Sequence, residues 1–274
     1  MQWMQETTEA EILKTVCVFV SSSDNTRDIF LQVSRSFEKN WPDCPFLRYV
    51  GLNSSLQDLP AGFRSVLSPE SRWPKELYGQ ICRLPQQIRY ILLFLDDFLI
   101  LSRVDTQSLV SLVERAIQNR LAYLRLIPQS RAILSQLGKK IYYLYRPETI
   151  EAIGKHAPYC SSLQVALWER NHLSLMLKAA QNIWDFENTY LPGIKHYAVI
   201  EHRPINYVHV VEKGCWQHNA ASLFKTAGLS FDPSGRKVRS MKDRIVFWIN
   251  KVKFAVIGYT VFRLKRRAQK KVSI

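Results

Sequence analysis

The sequence lacks most of the short motifs that assign a chain to a reaction class. It contains no GxGxxG and no GxxxxGK[ST], so neither a dinucleotide fingerprint nor a P-loop is present. HExxH, GxSxG and Cys/His pairs at zinc spacing are also absent, which argues against zinc hydrolysis and against a serine-hydrolase elbow. The five cysteines form no CxxC pair, and an odd number of scattered thiols fits a reduced, cytosolic setting better than a disulfide framework.

Long apolar runs are missing as well. The first 14 residues are acidic and have no apolar stretch, which argues against a signal peptide. Near the other end, the longest uncharged run is 254–262, and its nine residues fall well short of the roughly 20 that span a bilayer. The sequence therefore predicts no membrane-spanning helix.

Acidic residues are almost absent from the last part of the chain. From Arg236 onward there are 13 Lys and Arg against one acid, whereas residues 1–235 hold 25 basic and 22 acidic residues. A nearly neutral body argues against nucleic-acid binding by that body. The tail combines Trp and Phe with basic residues, a composition that suits a helix lying on an anionic membrane; a helix packed on the body is the alternative. The sequence predicts a domain over 1–235, a basic amphipathic helical tail over 236–274, and a cytoplasmic protein peripheral to the inner membrane face.

What the body does contain is a pattern of short apolar runs alternating with amphipathic segments. Thr15–Val20, the helical pattern 27–39 and Phe46–Val50 make one β-loop-α-β unit, the building block of a parallel sheet. Tyr90–Leu95 reads as a strand buried on both faces. The fold class is predicted as α/β, with one mixed, mainly parallel sheet flanked by helices. Further predicted elements are helices over 73–89, 105–119 and 168–180, and strands over 121–126, 141–145, 196–201 and 207–211.

Asp96 and Asp97 follow the most apolar strand directly. The carboxyl ends of strands are where open α/β sheets place their ligands. Two carboxylates there can hold a divalent cation that neutralises a diphosphate. A helix cap followed by a solvated acid is the alternative.

A second acidic cluster lies between aromatic residues, at Trp184-Asp185-Phe186-Glu187. An aromatic face can stack on a sugar while a neighbouring acid, its pKa raised by burial, removes a proton from a hydroxyl. The other interpretation is a turn at a helix end with Trp184 and Phe186 in the core.

Two polar stretches complete the set of candidates. His209 lies on a late strand and could bind a metal, and Lys213 in the following turn could bind a phosphate. The alternative is that His209 is a structural residue and Lys213 a turn residue. Closer to the N-terminus, Ser161, Ser162 and Gln164 could line a polar pocket that has Trp168 as its apolar wall. The alternative is a strand and a helix cap against which Trp168 packs.

Three of these stretches together resemble bacterial GT-A-like glycosyltransferases of capsule and surface-polysaccharide clusters. The stretches are the opening strand with Ser22 and Asp24 up to Trp41-Pro-Asp-Cys-Pro45, the Tyr90–Phe98 strand with its acidic end, and Ser162–Trp168 followed by Trp184–Glu187. The resemblance covers roughly residues 15–230 and excludes the tail. No single motif is diagnostic, but their order and spacing agree with the family.

The resemblance implies a role for each matching residue. Asp96 and Asp97 look like the acidic motif that binds a divalent metal (Mn or Mg) and the donor diphosphate, although the motif is not Asp-X-Asp. Ser22 and Asp24 look like nucleoside contacts, and Asp185 or Glu187 like the base of inverting members. The run from His209 to Trp216 is similar to the late His-and-Lys segment of retaining members, but Gly214 replaces a Pro. On this basis we assign His209 to the metal, Gln164 and Lys213 to the donor, and Trp168 and Trp184 to the acceptor.

The sequence thus predicts a nucleotide-sugar glycosyltransferase acting on a glycan or a lipid-linked acceptor, with no nucleic-acid partner. Two alternatives stay open. A nucleotidyltransferase also uses paired acids and a metal at a strand end, and a non-enzymatic basic module would bind membrane or nucleic acid through the tail.

Overall fold

The computed structural model describes residues 9–70, 72–128, 150–155, 157, 159–200 and 203–240. The predicted strand over 141–145 and most of the predicted tail helix, 241–274, lie outside these residues. Within the described part, no helix is long and apolar enough to cross a bilayer.

The described strands form one large sheet and two small ones. They are β1 (Val16–Ser21), β2 (Leu47–Leu52), β3 (Phe63–Leu67), β4 (Tyr90–Leu95), β5 (Phe98–Ile100), β6 (Tyr123–Arg125), β7 (Ile150–Ile153), β8 (Ala166–Glu169), β9 (His196–Val199), β10 (Tyr207–His209), β11 (Val211–Glu212) and β12 (Cys215–Trp216).

The large sheet has eight strands in the order β3-β2-β1-β4-β8-β6-β9-β7. β1 pairs in parallel with both β2 and β4, and β3 extends that parallel half. β8 lies antiparallel between β4 and β6, and β7 is antiparallel at the far edge. The prediction of a mixed, mainly parallel sheet is confirmed.

Helices cover both faces of this sheet. They are α1 (Glu9–Lys14), α2 (Arg27–Asn40), α3 (Trp73–Cys82), α4 (Thr106–Gln118), α5 (Arg170–Ala179), α6 (Ile183–Asn188) and α7 (Ala220–Thr226), with a short 3-10 turn at Asp24–Thr26. Apolar side chains of α2 and α4 pack on one face, whereas α3, α5 and α6 pack on the other. Both faces of the central strands are therefore removed from water, and β1 is buried along its whole length.

The predicted helix over 168–180 begins two residues later than expected. Ala166–Glu169 is a strand, because its apolar side chains are buried and it pairs with both β4 and β6. Glu169 then caps α5, its carboxylate accepting hydrogen bonds from the amides of Asn171 and His172. The predicted helix over 73–89 likewise ends early, at Cys82.

Residues just beyond the predicted domain boundary at 235 are held by the body. The amide of Trp216 donates to the carbonyl of Lys237, and the amide of Arg239 donates back to Trp216. Arg236 donates two hydrogen bonds to the Asp28 carboxylate, from Nε to Oδ2 at 2.6 Å and from Nη2 to Oδ1 at 2.8 Å. The part of the tail that the structure describes, 236–240, is thus attached to the domain at least as far as Arg239.

Two buried histidines, His172 on α5 and His196 on β9, are in contact and should make the stability of the fold depend on pH. His172 Nε2 and His196 Nε2 lie 2.8 Å apart, and His196 Nδ1 lies 3.0 Å from the carbonyl of Cys160. Because that carbonyl can only accept, His196 carries its proton on Nδ1, and His172 must donate from Nε2. Burial lowers the pKa of His172 to about 4, and the nearby His196 adds to the effect. Burial lowers the pKa of His196 too.

The lowered pKa values predict loss of stability in mild acid. Below pH 6.5 the unfolded chain takes up protons on these histidines, whereas His172 in the folded chain resists protonation until about pH 4. The free energy of unfolding should therefore fall as pH drops through that window, by on the order of 3 kcal/mol for His172. Urea unfolding between pH 4.5 and 7 measures this, and His172→Gln should flatten the dependence. An unchanged slope in the variant contradicts the prediction.

Candidate functional site

A cavity of about 460 Å³ opens at the carboxyl ends of β1, β2 and β4. Its wall consists of the loop after β1, Asn53 after β2, the first turn of α3, and Asp96 and Asp97 after β4. Parallel strands that end at one edge bring loops far apart in sequence to the same place. The cavity is large enough for a small organic ligand such as a nucleoside.

The loop after β1 is fixed by hydrogen bonds to the neighbouring loops. Asp24 accepts from Ser54 Oγ at 2.7 Å and from Arg27 Nη2 at 2.9 Å. Burial opposes its ionisation, but these bonds outweigh burial and hold the pKa of Asp24 below its ordinary value. Ser22 lines the cavity, and its hydroxyl donates to Asp96 Oδ2 at 2.8 Å. Of the two predicted nucleoside contacts, Ser22 faces the cavity and Asp24 braces its loop.

Three polar or aromatic residues of the cavity were missed by the sequence analysis. Asn53 donates to the Glu76 carboxylate at 2.8 Å, and Trp73 donates from Nε1 to Ser21 Oγ at 3.2 Å. Burial raises the pKa of Glu76. Asn53 directly follows β2, which is parallel to β1. A polar residue at the end of a predicted parallel strand was the signal in the sequence that could have identified it as a site residue.

The two adjacent acids after β4 point in different directions. Asp96 turns to Ser22, and burial raises the pKa of its carboxyl to about 7; the charge of Asp97 adds to this, while the hydroxyls of Thr26 and Ser22 oppose it. Asp97 turns to the other side, where its Oδ2 lies 3.2 Å from His209 Nδ1. β5 starts right after Asp97 and pairs antiparallel with β10, placing His209 opposite Phe98. This pairing brings together residues 112 positions apart.

His209 belongs to a line of hydrogen bonds with a defined direction. Tyr207 donates its hydroxyl to Gln164 Oε1 at 2.8 Å, and Gln164 Nε2 lies 2.9 Å from His209 Nε2. An amide nitrogen can only donate, so in this arrangement His209 accepts at Nε2 and donates from Nδ1 to Asp97. The line Tyr207–Gln164–His209–Asp97 locks the imidazole at the edge of the sheet.

Asp97 and His209 suit a divalent cation as neighbouring ligands. Adjacent ligands of an octahedral ion about 2.1 Å away lie about 3 Å apart, close to the separation found here. If a cation took the place of the proton on His209 Nδ1, the imidazole would carry its proton on Nε2. That nitrogen would then donate to Gln164, and the side-chain amide of Gln164 could rotate so that its oxygen accepts. Asp96 does not converge with them, and the described residues contain no group of three or more His, Cys, Asp or Glu placed to hold a metal. The predicted set of Asp96, Asp97 and His209 is therefore reduced to the last two.

The second acidic cluster forms α6, and its two acids are in different surroundings. Asp185 is exposed and accepts from the amide of Gln181 at 2.9 Å, which closes the turn before the helix. Glu187 is partly buried and accepts from the amide of Leu163 at 2.9 Å. Burial raises the pKa of Glu187, partly offset by bonds from Leu163 and Ser162 and by the charges of His209 and Arg125. Glu187 lies where it feels the charges of His209 and Arg125, and Asp185 has a capping role.

The two predicted acceptor tryptophans differ as well. Trp184 is 68% exposed, next to Ile183 on the cavity wall. Trp168 is fully buried, with its ring 4.3 Å from that of Tyr123. The prediction that Trp168 contacts an acceptor is wrong, because β8 turns this side chain into the core.

Lys213 occupies the turn between β11 and β12. It has φ of +50° and the next residue, Gly214, has φ of +74°, which makes a two-residue hairpin turn. The side chain is exposed, and the cavity described above does not include it. The structure thus gives Lys213 a turn role and does not bring it to the predicted donor site.

A larger open groove of about 1820 Å³ lies near the amino ends of the strands. Arg89, Arg120, Arg170 and Lys178 line it, and Glu169 is its one acidic residue. It contains neither of the acidic clusters, and open α/β sheets bind ligands at the opposite edge. The smaller cavity is therefore the better candidate site.

Comparison with known proteins gives distant structural matches only. No protein-family model and no curated protein matches the sequence. TarS of S. aureus matches with a TM-score of 0.46 and 12% identity over 78% of this chain, which spans only 39% of that TarS chain. The galactosyltransferase LgtC, solved with donor and acceptor sugar analogs, gives 0.40 and 10% over 79% of this chain and 97% of LgtC. Glucosyl-3-phosphoglycerate synthase from Mycobacterium tuberculosis, solved with Mn²⁺ and UDP-glucose, gives 0.39 and 10% over 83% of this chain and 84% of the synthase. Values this low assign no activity to the chain.

Proposed function

We propose that this protein is a glycosyltransferase that moves a sugar from a nucleotide-sugar donor to a hydroxyl of a glycan or a lipid-linked acceptor. The observation that carries the proposal is the line Tyr207–Gln164–His209–Asp97, which ends beside the 460 Å³ cavity. A nucleoside fits the cavity, and its diphosphate then lies near Asp97. The resemblance found in the sequence agrees with this placement.

Each group around the cavity has a separate task in this proposal. Trp73 offers an aromatic edge to the base, while Asn53 and Ser22 offer hydrogen bonds to the nucleoside. Asp97 and His209 would hold a divalent metal, Mn or Mg, and such an ion would supply positive charge to neutralise the diphosphate leaving group. Gln164 keeps the imidazole of His209 in place.

Glu187 is the proposed base of an inverting transfer. A partly buried carboxylate with a raised pKa takes a proton from an acceptor hydroxyl more readily than an exposed one. The amide of Leu163 holds the carboxylate in one orientation. Exposed Trp184, three residues earlier, offers a stacking face for the acceptor sugar.

Donor binding tests the proposal. Isothermal titration of the full chain against a panel of nucleotide sugars, with and without Mn²⁺, should give a donor whose affinity rises at least tenfold with the metal. Asp97→Asn should remove most of that rise. Tight binding that ignores both the metal and Asp97 would contradict the assignment of the diphosphate position.

The basic tail is proposed to hold the enzyme at an anionic membrane, which suits a lipid-linked acceptor. Truncation after Ser240 is the appropriate test, because residues 236–239 are attached to the body. The truncated chain should keep its melting temperature and donor binding but lose co-sedimentation with vesicles of phosphatidylcholine and phosphatidylglycerol. Equal sedimentation of both chains would contradict membrane association through the tail.

A further inference from the structure

Arg125, at the end of β6, is a buried cation without a charged partner among the described residues. The residue is 5% exposed, and its Nε and Nη2 donate to no acceptor in the part of the chain that the structure describes. Its Nη1 reaches the carbonyl of Tyr159 only at 3.5 Å, the outer limit for a hydrogen bond. Guanidinium groups stay charged in proteins, so this one cannot lower its cost of burial by losing a proton. A buried guanidinium without a protein acceptor suits the binding of an anion.

The free nitrogens have the geometry of an anion-binding fork. Nε–H and Nη2–H lie on one side of the planar group and donate in parallel, as in bidentate contacts with carboxylate or phosphate. Glu187, an acid of the described chain, feels the charge of Arg125 but makes no ion pair with it. Glu187 instead accepts from Leu163 and Ser162. The fork is thus left without an acceptor among the described residues.

The position of Arg125 favours the acceptor over the donor. In the sheet, β8 lies between β6 and β4, so the backbone of Arg125 is about 10 Å across from β4, the strand that ends just before Asp96 and Asp97. It lies on the side of Glu187 and of Tyr159, whose ring is partly exposed. We place the donor diphosphate at Asp97, on the other side of β8 from Arg125.

We propose that Arg125 binds a carboxylate or phosphate group of the acceptor, so that the second substrate of this enzyme is acidic. This inference rests on the proposed function, because it takes Glu187 as the base and places the acceptor next to it. Such a contact fixes the acceptor relative to Glu187 and discriminates against neutral sugars, since they would leave the cation buried and unpaired.

Paired charged and neutral probes test the anion site in the full chain. The pairs are glucuronate with glucose, and glycerol phosphate with glycerol, each titrated against the protein with thermal stability as the readout. The charged member of one pair should bind and its neutral partner should not; the pair that responds identifies carboxylate or phosphate. Arg125→Met should weaken that binding by roughly 10- to 100-fold. Exposed Arg64 supplies the control, Arg64→Met, which should bind like the wild type.

Stability of the free protein separates a binding role from a structural one. Removing an unpartnered buried charge should leave the melting temperature of Arg125→Met equal to or above that of the wild type. Arg125→Lys keeps the charge without the fork and should bind the anion more weakly than the wild type. Unfolding of Arg125→Met, or equal anion binding by Arg125→Met and the wild type, would overturn the proposal. So would the absence of any preference for the charged probes.

Hydrolysis of the nucleotide-sugar donor, measured without any acceptor, tests the acceptor role of Arg125 separately from the proposed function. Arg125→Met should release nucleoside diphosphate from the donor at the wild-type rate. Loss of that release in the variant would mean that Arg125 serves the donor, which overturns the acceptor assignment. A wild-type chain that hydrolyses no nucleotide sugar yet binds anions through Arg125 would sink the proposed function instead.

Discussion

Asp97→Asn is expected to lower donor turnover by roughly 10³-fold, because the loss of a metal ligand costs several kcal/mol of stabilisation on the leaving diphosphate. The fold should survive. The asparagine Oδ1 can still accept from His209 Nδ1, so the 3.2 Å contact between β4 and β10 is retained. Release of nucleoside diphosphate from the donor, measured at saturating Mn²⁺, gives the effect on turnover.

Asp58→Asn is the matched control for this change. Asp58 is exposed, and replacing it makes the same change of charge away from the cavity. Its turnover and melting temperature should equal those of the wild type. Near-normal turnover in Asp97→Asn would remove Asp97 from the diphosphate site, and a large drop in the control would show that net charge alone causes the effect.

Glu187→Gln is expected to slow sugar transfer by about 10²- to 10⁴-fold, the usual contribution of a general base. Glutamine keeps an oxygen that accepts from the amide of Leu163, so the loop before β8 should stay in place. Donor binding should be unchanged, since Glu187 is not part of the cavity wall. The defect should therefore appear in kcat for transfer and not in donor affinity.

Asp185→Asn provides the comparison on the same helix. Its exposed carboxylate only caps the turn through Gln181, and an asparagine oxygen can do the same. Transfer should stay within about twofold of the wild type, since surface substitutions of this kind have small effects. A reversed outcome, with Asp185→Asn inactive and Glu187→Gln active, would identify Asp185 as the base.

Much of the fold could be predicted because its strongest signals are local. The run Tyr90–Leu95 is apolar at every position, as expected of a strand covered on both faces, and it lies in the middle of the sheet. The helix after Asp105 was found from its periodicity and its cap. The start of α5 was missed because an apolar, buried antiparallel strand such as Ala166–Glu169 has the same composition as a buried helix.

The sequence indicated which residues belong to the candidate site, but it did not indicate how their side chains are oriented relative to one another. Strand ends indicated Asp96 and Asp97, but the opposite directions of their side chains depend on Ser22 and on the pairing of β5 with β10. Trp168 was misassigned because its side-chain direction is set by the pleat of β8, which spacing alone does not reveal.

Arg125 was overlooked for a related reason. In the sequence it is one basic residue among 38 Lys and Arg, at the end of a short strand. Only the packing of loop 159–163 against the sheet shows that Nε and Nη2 of this guanidinium are buried without an acceptor among the described residues. Unpartnered charges are a property of the folded structure.

The products formed from a nucleotide sugar test the central claim most directly. The full chain is incubated with Mn²⁺, a panel of nucleotide sugars and acidic acceptors, and the released nucleotide is identified by chromatography. A glycosyltransferase releases nucleoside diphosphate, in an amount that matches the sugar transferred, and Asp97→Asn should release almost none. Release of pyrophosphate when the same chain is given a nucleoside triphosphate and a sugar phosphate, with no nucleoside diphosphate from any sugar donor, would contradict the account.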